Sequence, residues 1–219
     1  MNSDAPTTPP NDSPSVDDWQ TLSNDLLQGL VHALNNRLSA LGALMELARL
    51  RDETVDPLSE LPTEVAQLQA LTGLFALLPE RRADAEALEL SAVIDDAVRL
   101  HEHHLRLRAE RCEVRYEGAP PPVRAPRWAL VRTLVMLVHA AKRSADRAGE
   151  RGGAPMIVRT DDTMVSVCVS TGASPSRDLL DIGQRAGGEF TREDELLVFR
   201  LPTLAELRRR EREARGKRA

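Results

Sequence analysis

From residue 17 onward, apolar residues recur at intervals of three and four: Leu22, Leu26, Leu27, Leu30, Val31, Leu34, Leu38, Leu41, Met45 and Ala48. That spacing predicts one long amphipathic helix over roughly 17–53, with Ser23 or Asp17/Asp18 placed to cap its start. Asp56-Pro57 ends it, because a residue before proline is pushed out of the helical region. Pro62, followed by Thr63 and Glu64, predicts the start of a second helix with Val65, Leu68, Leu71, Leu74, Phe75 and Leu78 on one face, closed by Pro79. Two antiparallel helices joined by a short loop have too little core to stand alone. Pairing two such hairpins into a four-helix bundle covers both apolar faces, so burial alone implies a homodimer.

The pattern then changes. Residues 88–110 are expected to form a third helix capped by Ser91. CEVRYE alternates like a strand and runs into a turn at Gly118–Pro122. A helix over 126–148 carries Leu130, Val131, Leu134, Val135, Leu137 and Val138. MIVRT and MVSVCVS are short β-branched strands around Asp161-Asp162, a hairpin signal. A short helix at 176–186 leads to Gly187-Gly188 and the strand LLVFRLP. Helices alternating with strands after an all-helical start predict an α+β sandwich behind a helical hairpin. The expected division is a disordered N-terminus over 1–16, a helical hairpin over 17–80, an α/β domain over 88–202 and a charged tail over 203–219.

Composition narrows the function. Of 219 residues, 42% are hydrophobic but only six are aromatic, so the core must be aliphatic. A net charge of −5 gives no global argument for nucleic acid or a membrane surface. No apolar run is long enough for a transmembrane helix, and the Pro/Ser/Asn-rich start has no signal-peptide core. Cys112 and Cys168 are far apart and make no metal-binding spacing. A reducing, cytoplasmic setting is expected. The first 16 residues hold four prolines and almost nothing apolar, too little to offset the entropy of ordering them.

His32 falls opposite the apolar stripe of the first helix, about 200° from Leu30 and Leu34 at ~100° per residue. Asp25, Gln28, Asn35, Asn36 and Ser39 are expected to share its polar face. Periodicity by itself leaves two readings open: an ordinary exposed polar residue, or a nucleophile. Imidazole suits the second, since its ordinary pKa of about 6.5 leaves it neutral near pH 7.

The segment LVHALNNRLSALGALMELA resembles the H-box of two-component histidine kinases, typically His-Glu-Leu-Asn-Asn-Pro-Leu. The resemblance makes His32 the phosphoacceptor and Asn36 the residue one turn on that assists dephosphorylation, with Leu34, Asn35 and Leu38 also in place. Two positions depart. Ala33 stands where kinases carry the carboxylate that acts as general base against ATP, and Arg37 replaces a proline. These departures weaken autophosphorylation more than phosphotransfer.

The resemblance continues through the α/β half, over about 180 residues in all. RWALVRTLVMLVHAAKRSA resembles the N-box helix, whose two asparagine positions are Val135 and His139 here. Val135 has no donor atom, and imidazole is a poor ligand for Mg²⁺. VSVCVSTGASPS takes the place of the first glycine box. Ser170 stands for the adenine-recognising aspartate, Gly172 is kept, and Ser174 replaces the second glycine. Only about a dozen residues then precede Gly187-Gly188, too few for a nucleotide lid. AGGEFTREDELLVFRLP resembles the family's closing strand. Gly172 alone is better read as a strand-end turn than as a phosphate cradle.

The resemblance therefore implies a dimeric histidine phosphotransferase on a kinase frame, closest to those with a degenerate ATP domain. His32 would carry phosphoryl groups between response-regulator receiver domains. Asn36, Asn35 and Arg37 would position the group or the receiver. No cofactor is expected on this chain, and the Mg²⁺ needed for transfer would come with the receiver. The alternatives are a non-catalytic pseudokinase scaffold and a divergent ATP-dependent kinase. Two further clusters read as structural: His101, His103 and His104 as a solvated helix face rather than a metal site, and LAELRRREREARGKRA as a charged helix or frayed tail with Glu–Arg pairs, without an aromatic residue to stack on nucleic acid.

Overall fold

The computed structural model describes residues 19–50, 57–80, 84–107, 112–148 and 155–216. In chain order the elements are α1 (Trp19–Leu50), α2 (Pro57–Phe75), β1 (Glu86–Leu88), α3 (Leu90–His101), β2 (Val114–Glu117), β3 (Val123–Ala125), α4 (Arg127–Ala148), β4 (Met156–Thr160), β5 (Met164–Ser170), α5 (Arg177–Arg185), β6 (Glu189–Glu193), β7 (Leu196–Pro202) and α6 (Leu204–Gly216). The fold is α+β: a helical hairpin, then a sheet layered with helices.

The main sheet runs in the order β2-β4-β5-β7-β6, parallel between β2 and β4 and antiparallel elsewhere. Register sets Val165 opposite Leu201, Val167 opposite Phe199 and Val169 opposite Leu197. All six are buried, because alternate positions of a strand point to one face. They share a core with Leu130, Val131, Leu134, Val135, Leu137 and Val138 of α4. From Ala129 to Lys142 every residue of α4 is buried. A helix buried on all sides belongs between layers, and α4 lies between the sheet and the other helices. The β4–β5 turn is built by Asp161, whose Oδ1 accepts from the backbone of Thr163 and Met164, both at 2.8 Å. That is an Asx turn, which needs no glycine. Gly187, at φ +83°, makes the left-handed turn out of α5.

The hairpin is not a free arm. Leu22, Leu26 and Leu30 of α1 are buried in the same core as α4. The Arg132 guanidinium of α4 lies 4.7 Å from the Trp19 ring centre and 5.2 Å from that of Trp128. The same guanidinium donates to the Leu78 carbonyl at the end of the hairpin, at 2.8 Å, and lies 3.6 Å from the Glu80 carboxylate. Glu80 also accepts from Arg185 of α5 at 3.1 Å.

Several expectations change. The second helix starts at Pro57, with Pro62 inside it. Pro57 sits in the first turn, whose N–H groups have no acceptor within the helix, so its missing N–H costs nothing, and Pro62 removes one hydrogen bond without ending the helix. The third helix is shorter than 88–110. It begins at Leu90, its N-cap Glu89 makes no side-chain cap, and it stops at His101. β1, β3 and β6 were not expected. The tail forms α6, anchored by Thr203 Oγ1, which accepts from Glu206 N at 3.1 Å. Glu206 is buried beneath Arg209 and Arg210, whose hydrogen bonds hold its carboxyl below the usual range. The expectation of disorder over 1–16 falls outside the described residues, as do the ends of the first and third predicted helices.

Candidate functional site

His32 lies near the middle of α1 with its side chain exposed, as are those of Gln28, Asn35, Asn36 and Ser39. Asn36, one turn along, brings its amide nitrogen to 3.3 Å from His32 Nε2. The i,i+4 spacing of a helix puts these two side chains together. Arg37 points elsewhere. Its guanidinium reaches across the hairpin to Glu64 of α2 at 3.3 Å, which ties the two helices together below His32. Asp25 leaves the open face as well, contrary to expectation. Its carboxylate lies 3.4 Å from His104 Nε2.

His104 belongs to a buried group, so the expected solvated histidine face is overturned. His101 and His104 are almost fully buried, and so is His139. The rings of His101, His104 and His139 lie with centres 5.0–5.5 Å apart. Because α3 ends at His101, the chain turns back and tucks His104 beneath α1. His104 Nδ1 accepts from the backbone N–H of Arg106 at 3.2 Å and of Leu107 at 3.3 Å. A ring nitrogen accepting two donors carries no proton, so His104 is neutral, with its Nε2 proton directed at Asp25. His101 Nε2 and His139 Nδ1 are 3.2 Å apart, one donating and one accepting. Burial, reinforced by His139, His104 and Lys142, pushes the His101 pKa down to about 2. Among the described residues, no group of three His, Cys, Asp or Glu side chains could hold a metal ion.

Val135 and His139 are interior residues of α4. Ser170 ends β5 opposite Leu196, and Gly172 and Ser174 are exposed in the loop that follows. Arg192 of β6 closes over this loop, donating to the carbonyls of Thr171 at 3.1 Å and Ala173 at 3.2 Å. Ser176 then caps α5 through Leu179 N at 3.2 Å. A cavity of about 370 Å³ opens beside Gly187, Gly188, Arg200 and Arg210, and none of its lining residues is among the candidates.

Sequence reasoning missed Gly29. A Cβ built there would overlap the carbonyl oxygen of His103, so the turn after α3 rests directly on α1, three residues before His32. A glycine inside a helical pattern, where it costs about 1 kcal/mol, is a packing signal in its own right.

No protein-family model matches the chain, and no curated protein does. Among solved structures it is similar to a bacterial phosphotransferase, at 16% identity and TM-score 0.40 over 83% of this chain and 95% of that one. It is also similar to histidine kinase ThkA in complex with response regulator protein TrrA, at 16% identity and TM-score 0.44 over 85% of this chain and 64% of that one. A third is the Acinetobacter baumannii histidine kinase AdeS, at 14% identity and TM-score 0.39 over 78% and 96%. Likenesses this distant decide nothing about chemistry, which rests on the chain's own residues. No helix among the described residues is long and apolar enough to cross a membrane.

Proposed function

We propose that this chain is a phosphorelay histidine phosphotransferase that moves a phosphoryl group through His32 between receiver aspartates, without using ATP. The observation that carries the reading is an exposed imidazole on a rigid helix with an amide 3.3 Å from its Nε2. With the ring proton on Nδ1, the Nε2 lone pair accepts from the Asn36 amide and is freed for attack once that amide turns to a phosphoryl oxygen. Attack on the phosphorus of an aspartyl phosphate forms the N–P bond as the P–O bond breaks, and the carboxylate leaves with that electron pair. The return step reverses this with a second receiver's aspartate as nucleophile. Asn36 would donate to a phosphoryl oxygen, Asn35 would face the receiver, and Arg37 would act through the hairpin that it braces. The Mg²⁺ that offsets phosphoryl charge would come with the receiver. Ala33 leaves no neighbouring carboxylate to act as base, which favours a donor already activated over ATP.

A homodimer fits a different face of the same helix. Leu27, Val31, Leu38 and Met45 repeat at four and seven residues and remain 42–58% exposed, and Val65 on α2 is 45% exposed. An apolar stripe of that kind is what a paired bundle would cover. It is centred about 125° from His32, so pairing would leave the imidazole open.

The test incubates the protein with a ³²P-labelled receiver domain and, separately, with ATP and Mg²⁺ alone. The expected result is acid-labile label from the receiver, none from ATP, and none in His32→Ala. Label from ATP would make the chain a divergent kinase. No label from either source would favour a scaffold that binds a receiver or a kinase.

A further inference from the structure

Three separate contacts fasten the first third of α1 to the α/β domain. At the N-terminal end, Trp19 lies over Arg132 and its backbone N–H donates to Asp178 of α5 at 3.3 Å. In the middle, Asp25 meets His104, whose other nitrogen is fixed by two backbone donors. Nearest the site, Gly29 admits the His103 carbonyl so closely that no side chain fits between them. Along the same stretch Leu22, Leu26 and Leu30 are fully buried. The fasteners use different chemistry, stacking, an imidazole–carboxylate contact and backbone apposition, on α4, α5 and the turn after α3. They stop one helical turn before His32.

We propose that α1 and the α/β domain form one rigid body that stays clamped through phosphoryl transfer, with Gly29, Asp25, His104, Trp19 and Arg132 as positioning residues that fix how His32 is presented. This deepens the phosphotransferase reading and rests on it for the reaction alone; the clamp is a separate physical statement. A domain that had to carry a donor to His32 would need to swing on its helix. Here a swing would have to extract three leucines and break an imidazole–carboxylate contact, a stacked guanidinium and a backbone contact together. The domain's part in transfer is to hold the helix and to keep the turn after α3 beside the histidine.

The test places spin labels at Glu46→Cys on α1 and Asp162→Cys in the β4–β5 turn, both exposed in the native chain. The two native cysteines are buried. Labelled chains are diluted into unlabelled protein so that distances within one chain dominate. The expected result is a single narrow distance distribution, unchanged when phosphorylated receiver is added. Gly29→Ala, which wedges the contact open, should broaden it and slow label transfer at least ten-fold at saturating receiver, while Gly42→Ala, in open space on the same helix, should change neither. A broad or two-peaked distribution in the native protein, or a shift on adding receiver, would overturn the clamp. A narrow distribution with no label on His32 from any receiver would uphold the clamp and sink the phosphotransferase reading instead.

Discussion

His32 and His139 both sit on long helices, and the regions around them have opposite chemistry. The face around His32 is polar and open, with one amide beside the ring. The ground around His139 is closed: it hydrogen-bonds His101, lies tilted beside His104 and sits in the interior of α4. The difference shows that helix position does not decide what a histidine does. An accessible imidazole that can turn a nitrogen lone pair to an incoming donor can attack phosphorus. An imidazole whose nitrogens are used inside the protein works as a small polar packing group, held neutral because charging it without water is costly. The position that the sequence resemblance sets at a nucleotide-site asparagine is here part of the joint that holds α3, α4 and α1 together.

The contrast breaks most sharply under substitution. His32→Ala should remove all acid-labile label while changing folding stability by less than about 0.5 kcal/mol, since exposed substitutions cost little; phosphotransfer assays beside a urea melt would check it. His139→Ala should do the reverse. It leaves a void and strips His101 of its partner, at a cost of roughly 2–4 kcal/mol, while the folded fraction still takes label through His32. If His139→Ala abolished transfer without lowering the melt, the buried cluster would have a chemical role that its packing does not suggest.

The hairpin was legible because a 3.6-residue period survives over many turns, and the β4–β5 hairpin because Asp161 makes its own turn. The buried histidines were not legible. Their i,i+3 spacing looks like a surface pair only if the helix continues, and it stops at His101. Periodicity tells which residues share a face but not which element comes to cover it, and so Asp25 was placed in the open when His104 lies against it. β6 escaped because EFTRE is an edge strand with a single large apolar residue, paired only to β7; edge strands are commonly charged. On the site itself, His32 and Asn36 were readable at helical spacing, whereas the Arg37–Glu64 tie depends on how two helices face one another.

Acid should sharpen the comparison in a graded way. His101 is held near a pKa of about 2 in the fold, against about 6.5 unfolded. Below pH 6.5 the unfolded chain binds a proton that the folded one refuses, so stability falls as pH falls through that window, by up to about 1.4 kcal/mol per unit for each such proton. Urea melts between pH 7 and 5 should show this loss, and His101→Asn should flatten the slope. A native protein with no pH dependence over that range would mean that water reaches the cluster. The smallest effect expected is at Asn36. Its amide makes one hydrogen bond at the open site, worth about 1 kcal/mol. Asn36→Ala should therefore leave label acquisition intact within a few-fold and change the lifetime of the phosphoryl group on His32 about five-fold, followed by loss of acid-labile counts after the receiver is removed. An unchanged lifetime would show that Asn36 packs beside the histidine without touching the group it carries, and would leave His32 as the one side chain on this face with a chemical task.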